Sequence, residues 1–206
     1  MADLFDMLQS QVGESLVGAL TNQLGGASQQ QTSSGVNGAM SILMSALAKN
    51  AQSKEGASAL GAALDRDHDG SILDDVAGFI NGTSQVNNTR AANGDGILGH
   101  ILGNSRGSAV ESLARSSGLN SNQSSDLLAK LAPVVLGMLG KQKKSQGLDM
   151  SGLSNILTNS ASTAKKQTPG ADLLTSFLDQ DGDGSVKDDA ARIGFSLLKN
   201  LFRRRR

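Results

Sequence analysis

The sequence predicts an all-α protein made of two related helical modules, on three observations. Apolar residues recur at helical spacing almost throughout, and no window alternates apolar and polar residues over several positions as a strand does. The apolar stock suits helix packing, with 38% hydrophobic residues, 2% aromatic, and no Trp, Tyr or Cys. The second half also repeats the order of the first: helix, polar turn, helix, acidic loop, helix.

The elements follow in chain order. Leu4, Leu8, Val12, Leu16, Leu20 and Leu24 recur every fourth residue, with Asp3 placed to cap the start and Gly25-Gly26 to stop the helix. After the polar turn "ASQQQTSS", a second stripe runs through Val36, Met40, Leu43, Met44 and Leu47. Met40 and Met44 read as core residues. A third helix, over residues 53 to 64, leads into the acidic stretch "LDRDHDGSILDD". A short helix carrying Val76, Phe79 and Ile80 leaves it and stops at Gly82. The aperiodic "GTSQVNNTRAANG" reads as a linker. Domain boundaries are therefore expected at 1–82 (first module), 83–94 (linker) and 95–206 (second module).

The second module can be laid on the first. At one offset Gln123 falls on Gln31, Ser125 on Ser33, Val135 on Leu43, Leu139 on Leu47 and Lys141 on Lys49. The acidic loops align at a larger offset, so the second copy holds extra residues around "KKSQGLDMSGLSNILTNSASTAK". These are expected to form a short added helix and a polar connector. Pro133 lies inside a helical stretch, where a kink is expected. Pro169 is placed to open the helix entering the second loop. "NGDGILG", with only one carboxylate, reads as a turn opening a helix.

The acidic loops carry the chemistry. Calcium takes six to eight oxygen ligands, and a short loop supplies them when alternate side chains turn inward around a sharp bend. That pattern needs carboxylates at loop positions 1, 3 and 5, glycine at 6, a backbone carbonyl at 7 and an apolar anchor at 8. Residues 65–76 offer Asp65, Asp67, Asp69, Gly70, Ser71 and Ile72; residues 179–190 offer Asp179, Asp181, Asp183, Gly184, Ser185 and Val186. Both loops resemble the EF-hand and dockerin type over their first eight positions. They depart from it at position 12, where Val76 and Ala190 stand instead of glutamate. Either Asp75 and Asp189, or Asp74 and Asp188, close each cage, or the cage stays open to water. The expected ligands are Asp65, Asp67, Asp69, Ser71 and Asp75 in one loop, and Asp179, Asp181, Asp183, Ser185 and Asp189 in the other. The expected cofactor is two Ca2+, held at ~micromolar to millimolar affinity.

Other signals point away from chemistry. His68 occupies an outward position of its loop, and His100 stands alone. No nucleophile elbow or phosphate loop occurs, so neither an enzyme nor a small-molecule substrate is expected. Zero formal net charge and scarce aromatic residues argue against nucleic acid. The last stretch, "ARIGFSLLKNLFRRRR", pairs an apolar stripe with Arg203, Arg204, Arg205 and Arg206; it reads first as a core helix whose basic end complements the helix dipole and runs into a solvated tail, with an anionic membrane surface as the alternative. The N-terminus has no basic n-region, and no apolar run is long enough to span a bilayer, so a cytoplasmic location is expected.

"NGDGILGHILG", "LLAKLAPVVLGMLGK" and "ALDRDHDGSILDD" together resemble the YidB-like proteins of bacteria. The resemblance implies a small, soluble, all-helical protein and no known reaction. Two function classes follow from the residues: a calcium-stabilised scaffold that binds protein partners or itself, or a calcium-dependent module that recruits a membrane surface or partner through the C-terminal helix.

Overall fold

The computed structural model describes Leu4 and residues 13–84 and 88–168. All regular structure among these residues is helical. The α-helices are α1 (Glu14–Gln23), α2 (Gln29–Ala51), α3 (Lys54–Asp67), α4 (Val76–Asn81), α5 (Thr89–Ala92), α6 (Gly94–Leu102), α7 (Arg106–Ser117), α8 (Ser121–Gln146) and α9 (Met150–Gln167). Short 3-10 turns cover Ser71–Asp75 and Gly103–Ser105.

Two long helices form the centre. Residues 131–140 of α8 are buried on every side, as is most of α2 from Gly35 to Ala48. A helix apolar all round belongs inside a bundle, and the others wrap these two. Helix α2 touches α1, α3, α6, α7, α8 and α9; α8 touches α3, α5, α6, α7 and the 3-10 turn of the acidic loop. Leu43, Met44 and Leu47 on α2 and Leu128, Val135 and Leu139 on α8 belong to one continuous core, so the described residues of the two sequence halves share a single interior. Among the described residues no helix is long and apolar enough to cross a membrane.

The starts of α2 and α8 are built alike. Ser28 and Gln31 form a capping box on α2, and Asn120 and Gln123 form one on α8. Each glutamine also reaches across the bundle. Gln31 Nε2 donates to the Gly118 carbonyl at 2.6 Å, before α8. Gln123 Nε2 donates to the Leu24 and Gly25 carbonyls at 3.0 and 2.9 Å, before α2. The turn ahead of each long helix is thus held by the other. We expect Gln31→Ala and Gln123→Ala each to lose about 1 kcal/mol, cap and cross-bond together, and to do so nearly equally. Urea midpoints of the two variants check this; a loss confined to one of them refutes the equivalence.

Several sequence expectations are revised. Helix α3 runs to Asp67, three residues beyond the expected end at Leu64, which packs in the core. The expected linker contains the one-turn helix α5, capped by Asn88. The short helix expected after α8 is the eighteen-residue α9, whose Leu153, Leu157 and Ala164 are fully buried. Pro133 does lie inside a helix, α8, as the sequence predicts. Pro133 removes the usual donor to the Ala129 carbonyl, and Gly94 packs so closely there that a Cβ would stand 1.8 Å from that oxygen. Pro169 and the second acidic loop, 179–190, lie outside the described residues, as do Arg203–Arg206.

Candidate functional site

The first acidic stretch is a helix end, a turn and a helix start, docked on α8. Asp65 and Asp67 lie in the last turn of α3. At ~100° per residue, side chains two positions apart leave a helix on nearly opposite sides. Asp65 accordingly accepts from Lys143 Nζ on α8 at 2.5 Å. Asp67 pairs with Arg66, whose Nη2 lies 2.6 Å away, and this guanidinium holds the carboxyl below its ordinary range.

The turn itself follows the calcium-loop pattern more closely. Gly70 has φ +94°, a left-handed conformation that glycine adopts without strain. Asp69 Oδ1 accepts from the Ser71 amide at 2.9 Å, and this bond draws the Asp69 carboxyl below its ordinary range. Ile72 is buried, as the expected anchor. Asp75 caps α4 by accepting from Gly78 N at 2.8 Å. Among the described residues no three carboxylate or imidazole groups converge as a metal set. The donors are oxygens of the kind a hard cation takes, and residues 69–71 form a tight turn. The present placement of Asp65, Asp67 and Asp75 does not gather them.

Glycines on α8 seat this loop. A Cβ at Gly140 would stand 1.7 Å from the His68 carbonyl oxygen, and one at Gly137 2.5 Å from Ile72 Cγ2. The pair sits one helical turn apart in "GMLG", a notch into which residues 68–72 descend. Lys141, Lys143 and Lys144 follow at once and face the acidic stretch with positive charge.

His68 departs from expectation. It is not outward but only 6% exposed, because α3 continues to Asp67 and turns residue 68 down onto α8. Burial lowers its pKa, and its Nδ1 has no hydrogen-bond partner among the described residues. It borders a cleft of about 550 Å³ between α3 and the α5–α6 segment. Leu47, Leu60, Ile97 and Leu136 supply apolar walls; Arg66, Arg90 and His100 supply polar ones. Asn88 Nδ2 donates to the Asp67 carbonyl at 3.3 Å, tying α5 to the end of α3. Asn50 Nδ2 donates to the Ile101 carbonyl at 2.9 Å, tying α6 to α2. Sequence spacing could not bring His68 and His100 to one cleft, since they lie 32 positions apart, one just past the end of α3 and the other on α6.

A model of one bacterial family, described as "Bacterial protein of unknown function (DUF937)", matches residues 6–142. No curated protein and no solved structure matches the chain.

Proposed function

The chain belongs to this bacterial family of unknown function, so kinship brings no reaction with it, and we propose from the residues themselves that it is a non-enzymatic, calcium-stabilised helical scaffold for protein or self association. The YidB-like likeness of its motifs carries no reaction either. The observation that carries the reading is the turn at Asp69–Gly70–Ser71, where a left-handed glycine and an Asx turn stand at loop positions 5 to 7 between two helices. Asp65, Asp67, Asp69 and the Ser71 carbonyl would hold the ion, with Asp75 closing the loop. In the second loop Asp179, Asp181, Asp183, Ser185 and Asp189 would do the same. The correspondence of Gln31 with Gln123 supports descent of the two halves from one repeated hairpin.

In this reading calcium competes with Lys143 for Asp65 and with Arg66 for Asp67, which weakens the first loop. Isothermal titration of the chelator-treated chain is expected to show two sites at ~micromolar to millimolar affinity. The melting temperature is expected to rise as the ion fills them. Asp67→Asn with Asp69→Asn removes one site, Asp181→Asn with Asp183→Asn removes the other, and Lys143→Met tightens the first. Absence of heat and of any melting shift at millimolar calcium refutes the proposal.

A further inference from the structure

The cleft between α3 and the α5–α6 segment is separate in chemistry from the calcium reading, although Asp67 borders both. Its volume, about 550 Å³, falls in the range of ~300–1,000 Å³ usual for small-molecule sites. Leu47, Leu60, Ile97 and Leu136 line it with hydrocarbon. Exposed Arg90, His100 and Ala59 mark its mouth.

Three features select the occupant. Arg66 is paired with Asp67. The Arg90 guanidinium takes part in none of the ion pairs among the described residues. Asp67 cancels one of the two arginines, which leaves a single net positive charge beside an apolar cavity. His68 borders the same space, and its buried Nδ1 lacks a partner; buried polar atoms are ordinarily hydrogen-bonded. A guanidinium matches a carboxylate in a bidentate fork, and a monoanion matches the net charge where a dianion would not.

We infer that this cleft binds a small amphipathic carboxylate, with its hydrocarbon on Leu60, Ile97 and Leu136 and its carboxylate at Arg90 beside His68. This adds a bound ligand to a chain for which no small-molecule substrate is expected. A carboxylate protonated at its own pKa would lose the Arg90 attraction, so binding belongs to the ionised form.

The test is calorimetric titration of the full chain with octanoate, with a chelator present so that the outcome is independent of the calcium reading. Octylamine and inorganic phosphate serve as comparison probes. The expected result is one saturable octanoate site per chain, with weaker binding of both comparison probes. Arg90→Gln alters an exposed side chain outside every ion pair among the described residues, and it should weaken octanoate about tenfold, as loss of a charge-assisted guanidinium–carboxylate fork at an exposed position does. Ala59→Phe places a ring at the mouth and should abolish binding, with circular dichroism confirming the helical fold. Failure of octanoate to saturate, equal binding of octylamine or phosphate, or unchanged affinity in Arg90→Gln would each overturn the inference.

Discussion

Gly140→Ala is expected to destabilise the protein by about 3 kcal/mol, although alanine is the better helix former. By propensity alone the change in mid-helix would add ~1 kcal/mol of stability. The added methyl would instead stand 1.7 Å from the His68 carbonyl oxygen, and that atom is backbone, which no rotamer change can withdraw. Either residues 68–72 lift from α8 or α8 shifts against α2. Overpacking of this kind costs ~1–3 kcal/mol, and a buried Ile72 pulled from its seat adds to it. For a chain of this size ~1 kcal/mol moves the melting temperature by ~2–4 °C, so a fall of roughly 10 °C is expected. Gly107→Ala is the control. It is also a helical glycine, on α7, but its added Cβ meets nothing within 4 Å. It should raise the melting temperature by ~2 °C. If both substitutions stabilise, the α8 notch does not seat the acidic loop.

Removing α9 should do more damage still. The family match stops at residue 142, and by that measure α9 is dispensable. The packing says otherwise. Leu153, Leu157, Ser160 and Ala164 on α9 are all 0% exposed, and the helix lies along α2 and α3. Ser154 Oγ also donates to the Ala51 carbonyl at 3.3 Å, at the end of α2. Burying the two leucines alone is worth ~1.5–3 kcal/mol each. Exposure of the α2 surface beneath them takes the loss to on the order of 5 kcal/mol or more. That approaches the ~5–15 kcal/mol total of a typical domain. A chain ended at Leu148, which keeps the Gly147 cap of α8, should unfold without a cooperative transition or aggregate. A chain ended at Thr168 should melt cooperatively; comparing the two cancels the residues removed from both. Equal melting of the two truncations would place α9 outside the stabilising core.

The sequence carried much of this architecture because its helices announce themselves locally. Four-residue spacing and Gly82 after Ile80 are signals within one or two turns of chain, and the structure has helices and a cap where they stand. Part of the candidate site was legible in the same way. The need for a left-handed residue at 70 is written in the alternation of aspartates before a glycine.

What stayed hidden depends on distance across the fold. Asp65 and Asp67 look equivalent in sequence, but α3 runs through both, and helical rotation aims one at Lys143 across the fold while the other pairs with its neighbour Arg66. His68 reads as a loop position until α8 is laid beneath it. Composition and local periodicity determined that the described residues are helical and that the helix after the first acidic loop stops at Gly82. Only the tertiary structure decided which carboxylates meet which cations, that Gly137 and Gly140 form a seat, and that Arg66, Arg90, His68 and His100 share one cleft. The reason is physical: caps and periodicity are set by neighbours three or four residues away, whereas a cleft, or an ion pair between helices such as Lys143–Asp65, is set by how whole helices pack.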